Sequence, residues 1–450
     1  MAYQEVTTTG YGTRVGRSFR SIGSGFILFC IATALLWWNE GRAVKTDKML
    51  NEAEKAYVEM EHPEKKDASL DGELVCATAM ATTEDSLTDS QYGIGVKAIS
   101  LQRRVEYYQW VEHSEEHSED KFGGKQVTTT TYTYSKEWVD SPIESAQFKD
   151  PEYQKKNMVL TTVEDAEKWA EDVSFGAYKL NESLIHYISS REPMELTVSK
   201  DLLKQFDKSA QAAYERFYGT KEPAPQPAQT AVLTDSAKAV ADSVKAVNDS
   251  ILKNAENKLD LMYVHQAGNV LYYGLVPSSP EIGDVRVTFE KIVPAKVTII
   301  SQVDGDTFKP FKAKNGKRFQ TLVMGRKSAD EIFDAEHSAN NMWLWILRIA
   351  GVLMVIAGLR GIFGFIETIL KVVPFIAGIF GWGVGLVCTI IGVVWSLIII
   401  ALAWLFYRPL LAIFLLALAG FLIWVFAFKG KDKLKELAAK AKQPANTEKV

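Results

Sequence analysis

Ser21-Ile-Gly-Ser-Gly-Phe-Ile-Leu-Phe-Cys-Ile-Ala-Thr-Ala-Leu-Leu-Trp37-Trp38 is an uncharged, apolar run close to the N-terminus. A helix of roughly 20 apolar residues spans a hydrocarbon core of about 30 Å, and this segment is close to that length. Arg14, Arg17 and Arg20 precede it, as they would in a secretory signal. It ends, however, in two tryptophans and Asn39-Glu40, not in the small residues that a cleavage site needs. Paired tryptophans suit a bilayer interface, where one ring is half apolar and half wet. The segment therefore reads as a retained transmembrane helix.

The remaining apolar segments fall between Trp343 and Phe428, and about 300 more polar residues separate them from the first. That length exceeds any connecting loop and is enough for a domain. Met342 to Leu359 is just long enough for a second span. Residues 372–406 carry no charge, and a third span is expected at Val384 to Phe406. Residues 360–383, interrupted by Pro374, are expected as an amphipathic segment at the inner interface. Tyr407-Arg408-Pro409 then turns the chain into a fourth span at 409–428. The end of the chain carries Lys429, Lys431, Lys433, Lys435, Lys440 and Lys442. Basic flanks favour the cytoplasm, so the tails at 1–20 and 429–450 are both expected there. An even number of spans then leaves residues 39–341 as an extracytoplasmic domain. Arg348, near the outer end of the second span, is expected to snorkel to the interface.

The net charge of −4 is evidence against a nucleic-acid partner, which a basic surface would serve better. Cys30 and Cys388 lie in apolar runs, leaving Cys76 alone in the polar middle, so no disulfide can staple that domain. Period-two patterning marks strands in the first run from Leu101 to Val111 and in Gln126-Val-Thr-Thr-Thr-Thr-Tyr-Thr-Tyr-Ser135. With Gly123-Gly124 between them, the two read as a long hairpin. Further strands are expected at Asp260 to His265, Val270 to Leu275, Asp284 to Ile292 and Lys296 to Val303. Helical spacing is read at Ala166 to Val173 and at Leu202 to Phe217. Mixed elements without βαβ alternation point to an α+β domain with mainly antiparallel pairing. The Pro-rich linker Lys221-Glu-Pro-Ala-Pro-Gln-Pro-Ala leads into a seven-residue repeat. Its residues Leu233, Ala237, Val240, Val244, Val247 and Ile251 form an a/d seam, so residues 221–258 read as a linker and helical insertion. That helix either lies on its own domain or self-associates.

One stretch has the spacing of a metal site. His113-Ser-Glu-Glu116-His117 fits H-x-x-E-H, in which two histidines on one helix face bind zinc while the glutamate activates water. Here the motif sits in an acidic tract at a hairpin tip, with no apolar helix to carry it, so a solvated loop competes with a metal-dependent hydrolase reading. Gly378, Gly381, Gly383 and Gly385 suit close helix packing in the membrane. Trp37, Trp38, Asn39, Glu40, Gly41 and Arg42 mark the junction of membrane and domain. Gly41 is expected to end the helix there, with Glu40 and Arg42 as a charged pair that sets the angle of the domain.

The chain resembles the transmembrane protein 43 (LUMA) family at Leu36-Trp37-Trp38-Asn39-Glu40-Gly41-Arg42-Ala43-Val44 and at Tyr108-Gln109-Trp110-Val111-Glu112. The resemblance continues at Tyr134-Ser-Lys-Glu-Trp138 with Pro142-Ile143, and at Ile282-Gly283-Asp284-Val285-Arg286-Val287. It closes at Trp345-Ile-Leu-Arg348-Ile-Ala-Gly351 and Trp404-Leu-Phe-Tyr407-Arg408-Pro409-Leu410. It implies four spans around a large luminal domain, no catalytic residues and no cofactor. It also implies a self-associating scaffold, a homo-oligomer that contacts the lipid bilayer and other membrane proteins. In a eukaryotic host it implies the endoplasmic reticulum and inner nuclear membrane, with lamin- and emerin-type partners; in a bacterial host it implies the cytoplasmic membrane. The insertion at 221–258 departs from the family pattern.

Overall fold

The computed structural model describes residues 3–219, 261–370, 374–409 and 413. It divides into a sheet-rich domain, built from Met1–Thr7, Glu52–Glu119 and Val127–Ile332, and a helical unit, built from Thr8–Asn51, Asp120–Gln126 and Phe333–Val450.

Two large sheets make the domain. The first runs β1 (Tyr3–Thr9), β7 (Gln126–Val139), β6 (Ser100–Asp120), β14 (Val285–Ile292), β13 (Val270–Tyr273), β12 (Val264–Ala267), with β11 (Arg191–Pro193) on β14 and β8 (Ala166–Trp169) on β6. The second runs β10 (Tyr178–Lys179), β9 (Val173–Phe175), β3 (Leu74–Thr83), β15 (Ala295–Asp304), β16 (Thr307–Lys309), with β19 (Thr321–Met324) on β15 and β2 (Tyr57–Glu59) on β3. Two small hairpins complete the set, β4 (Ser86–Asp89) with β5 (Ile94–Lys97), and β17 (Phe311–Lys312) with β18 (Arg318–Phe319). The β2–β3 pair is parallel. The long central pairings are antiparallel, as in β14 with β6 and β15 with β3.

Burial follows the period-two pattern. On β14, Val285, Val287 and Phe289 are fully buried while Arg286 and Thr288 are only half covered. They join a core with Tyr92, Val105 and Tyr273, against which helix α3 packs Leu203, Ala210 and Tyr214. (α1 and α2 are Tyr11–Ala56 and Glu182–Ile185; α3 is Lys200–Tyr218.) The Ser199 hydroxyl caps α3 by accepting from the Leu202 N–H, and Gly219 ends it at a positive φ of 76°. A second core, with Val75, Val297, Ile299 and Phe308, fills the other sheet. Cys76 is buried on β3, and burial pushes its thiol up to about 12.

Three expectations for the domain change. Ala166 to Val173 is not a helix: Ala166–Trp169 pairs with β6 and Val173–Phe175 with β3. Apolar residues three and four apart satisfy two short strands broken by a turn as well as they satisfy a helix, and edge pairing decides. The acidic tract after Val111 is strand rather than loop, because β6 continues to Asp120 before the turn through Gly123 and Gly124 at φ 84° and 77°. Residues 3–9 are not a separate tail. They add β1 to the edge of β7, with Gln4 Nε2 donating to Thr131 Oγ1 at 3.2 Å and the Tyr3 and Tyr132 rings 6.1 Å apart.

The helical unit contains α1, α4 (Ala329–Leu370) and α5 (Pro374–Tyr407). Among the described residues, three helices are long and apolar enough to cross a membrane: Tyr11–Ala56, Ala329–Ile366 and Gly383–Tyr407, with mean hydropathies of 1.8, 2.2 and 2.8. Residues 360–370 continue α4 without a break, so the expected interfacial segment at 360–383 does not begin as a separate element. Helix hydrogen bonding carries through because Ala329–Leu370 contains no proline. Gly41 likewise does not end α1, which runs on to Ala56. The expected fourth span at 409–428, apart from residues 409 and 413, and all of the basic tail at 429–450 and of the insertion at 221–258 lie outside the described residues.

Candidate functional site

Where α1 passes α4 and α5, a carboxylate is buried in an otherwise apolar unit. Glu40 is 2% exposed. Arg348 of α4 grips it with both prongs, Nε donating to Oε1 at 2.6 Å and Nη2 to Oε2 at 2.8 Å. The Trp404 indole N–H of α5 donates to Oε2 at 2.8 Å, so one carboxylate joins three helices. Arg348 is itself buried, with its guanidinium 4.9 Å from the Trp345 ring and 5.5 Å from the Trp404 ring. Bidentate pairing and flanking aromatic faces together offset the desolvation of both charges.

Neighbouring polar groups extend the cluster. Asn39 is fully buried and donates to the Leu344 carbonyl at 2.9 Å. Arg42 donates from Nε to Asn39 Oδ1 at 3.3 Å and from Nη1 to Asn340 Oδ1 at 3.2 Å. Asn340 returns a bond to the Ala43 carbonyl at 3.1 Å. Gly41 makes room for this crossing, since a Cβ there would sit 2.6 Å from the Tyr407 ring. The Trp37 ring packs at a tilt against Phe406 and Tyr407, with centroids 5.8 and 5.9 Å away, while Trp38 stays exposed.

All six junction residues thus lie in or beside one cluster, but Glu40 pairs with Arg348, not with Arg42. Arg348 does not snorkel, because its counter-ion sits on a neighbouring helix. Positions two apart on a helix point about 200° apart, and Glu40 follows the face that meets α4 while Arg42 meets Asn39 and Asn340. The sequence carried no signal that could link Glu40 to Arg348 across 308 positions. What it did offer was two charges near the ends of apolar runs, each explicable as interfacial.

The close helix contact uses glycines other than the expected ones. A Cβ on Gly25 would meet the backbone of Gly358 and Gly361 at 2.8 Å, and one on Gly358 would meet Phe29 N at 2.8 Å. Gly351 receives Leu36, and Gly392 receives Ile356. Of the expected set, Gly378 and Gly381 lie within α5, Gly385 faces Arg360 at 3.3 Å, and Gly383 has nothing within 4 Å among the described residues.

The H-x-x-E-H motif is dismantled by its backbone. His113, Glu116 and His117 lie on β6 and not on a helix. Alternation puts His113 and His117 on one face about 13 Å apart and Glu116 on the other. His113 Nε2 instead meets Ser135 Oγ at 2.9 Å and Glu137 Oε1 at 3.0 Å across the hairpin. Among the described residues, no three His, Cys, Asp or Glu side chains are placed to hold a metal ion.

The sequence profile described as Transmembrane protein 43 matches residues 107–409. Transmembrane protein 43 of Rattus norvegicus is 27% identical over 91% of this chain and 90% of its own length, and that of Homo sapiens is 27% identical over the same shares. The Transmembrane protein 43 homolog of Drosophila melanogaster is 24% identical over 89% of this chain and 92% of its own. No solved structure matches. A profile match over most of the chain and relatives that align along nearly its full length show that this membrane protein belongs to the transmembrane protein 43 family.

Proposed function

We propose that the chain is a non-enzymatic, multi-pass membrane scaffold that self-associates and holds its sheet domain on the extracytoplasmic side. The observation that carries this reading is the fate of the buried polar groups among the long helices. Glu40, Arg348, Trp404 and Asn39 bond to one another or to helix backbone, and the Trp395 N–H donates to Thr33 Oγ1 at 3.1 Å. Groups spent on joining helices make a rigid anchor, whereas a transporter would turn such groups toward a water-filled path. Membership of the family supports a membrane protein of that kind. The exposed α5 surface gives a place for self-association: Gly383 is open, and Val387, Ile390 and Val394 follow it at helical spacing with 49–55% exposure.

The test is the mass of the full chain in lipid nanodiscs by native mass spectrometry. Oligomers should survive deletion of residues 221–258 and fall toward monomers in the Gly381→Leu, Gly383→Leu double variant. A wild-type chain that is monomeric at every loading would remove self-association. Monomers from the deletion alone would move the contact to the heptad segment.

A further inference from the structure

Next to the Glu40 cluster, and wholly within the helical unit, lies a cavity of about 330 Å³. Its polar wall is Asp47, His337, Ser338, Asn340, Asn341 and Arg408. Leu344 closes the apolar side. Arg408 directly follows the apolar window that ends at Tyr407, and Asn340 and Asn341 directly precede Met342 and Trp343. The cavity therefore sits at headgroup depth.

Arg408 is the arginine of this wall. Among the described residues, the Arg408 side chain has no carboxylate partner. Arg42 uses Nε and Nη1 on Asn39 and Asn340, but its Nη2 is buried without a hydrogen bond. Arg42 stands behind the wall, joined to it through Asn340, which holds its Nη1 and lines the cavity. The opposite charge is present too: Asp47 meets His337 Nδ1 at 3.2 Å. A wall with Arg408 at one place and a carboxylate at another fits a zwitterion better than a polyanion. Met342, Trp343, Ile346 and Ile349, all exposed on α4, supply apolar surface along which acyl chains can lie.

From this arrangement we propose that the cavity binds the headgroup of a zwitterionic glycerophospholipid. The phosphate is held by Arg408 with Asn341, and the ammonium faces Asp47. The site needs only the membrane setting and is independent of self-association.

The experiment titrates the delipidated full chain in detergent, by native mass spectrometry, with dioleoylphosphatidylethanolamine, with dioleoylphosphatidylglycerol and with soluble phosphoethanolamine. The first should form a retained one-to-one adduct, and phosphatidylglycerol should bind more weakly. Phosphoethanolamine alone should leave the chain bare. Arg408→Gln should weaken the adduct about tenfold, as loss of a charge-assisted contact does. Asp47→Asn should erase the preference between the two lipids, and Lys204→Gln on α3 should change nothing. Asn341→Leu serves if Arg408→Gln fails to fold, with the same expected weakening. Wild-type affinity in the cavity variants would overturn the site. Soluble phosphoethanolamine binding as well as the lipid would overturn the lipid, and tighter phosphatidylglycerol binding would overturn the zwitterion.

Discussion

Glu40 shows how much one buried carboxylate can demand of its surroundings. Its two oxygens accept three donors, from Arg348 and Trp404. Removing one partner of a buried pair leaves the other charge without compensation, at about 3–5 kcal/mol, whereas replacing both by apolar side chains is often near neutral. Glu40→Leu and Arg348→Met should each lower the thermal unfolding temperature of the detergent-solubilised chain sharply, and the double variant should recover most of the loss. A double variant as unstable as the sum of the singles would mean that the two side chains act separately. In the domain, Asp284 is a second buried carboxylate, 1% exposed and bonded by the Tyr272 hydroxyl at 2.5 Å and the Glu281 N–H at 2.8 Å. Burial outweighs those bonds and raises its carboxyl to about 6, against about 3.9 in an unfolded chain. The folded state thus holds this proton more tightly. The stability it contributes is fully present below about pH 4 and is lost as pH rises to about 6, a change of roughly 3 kcal/mol. The stability difference between wild type and Asp284→Asn, from denaturant unfolding at pH 4, 5, 6 and 7, should shift against wild type across that window. A constant difference would show that Asp284 titrates normally.

Among elements, those with a local signature were legible and those chosen by a distant partner were not. The long helices follow from hydropathy, α3 from its apolar face, and the β6–β7 hairpin from alternating Thr and Tyr around Gly123-Gly124. Glycine spacing marked α5 as able to pack closely, but only three-dimensional neighbours reveal that Gly25, Gly358 and Gly361 form the contact. Gly358→Leu should therefore separate α1 from α4 and destabilise the bundle, since its Cβ would already meet backbone that cannot move aside. Gly364→Leu, where a Cβ meets nothing within 4 Å, should be tolerated; equal effects on thermal unfolding would count against the assigned crossing. The first strand is the sharper disagreement. Arg14, Arg17 and Arg20, ahead of the apolar run, pointed to a cytoplasmic tail, yet β1 pairs with β7, and Arg14 joins Asp120 at 2.7 Å and the Gly124 carbonyl at 2.9 Å. A strand cannot hydrogen-bond across a hydrocarbon core, so β1 in this sheet and a tail opposite the domain exclude each other. In a background with the native cysteines replaced, Gln4→Cys and Thr131→Cys should form a disulfide on mild oxidation in intact membranes. Failure to crosslink while both cysteines accept reagent would restore the tail to the other side.

At the scale of the molecule, the orientation of the domain depends on the C-terminal helices rather than on the first strand. The domain chain leads through β19 into α4, and α5 follows it. With the apolar run at 409–428 as one further crossing, three consecutive spans separate residue 341 from residue 429. The six lysines from Lys429 to Lys442 favour the cytoplasmic face by the bias that basic flanks impose on short segments. On the orientation we propose, the domain is then expected on the extracytoplasmic face. Single cysteines at exposed Lys204 on α3 and at Lys435, each in a cysteine-free chain, separate the possibilities. An impermeant maleimide applied to sealed cells or right-side-out vesicles should modify Lys204→Cys and leave Lys435→Cys untouched until detergent is added. Modification of both without detergent would remove one of the three crossings. Modification of Lys435→Cys alone would invert the protein, placing the sheet domain in the cytoplasm against the charge rule.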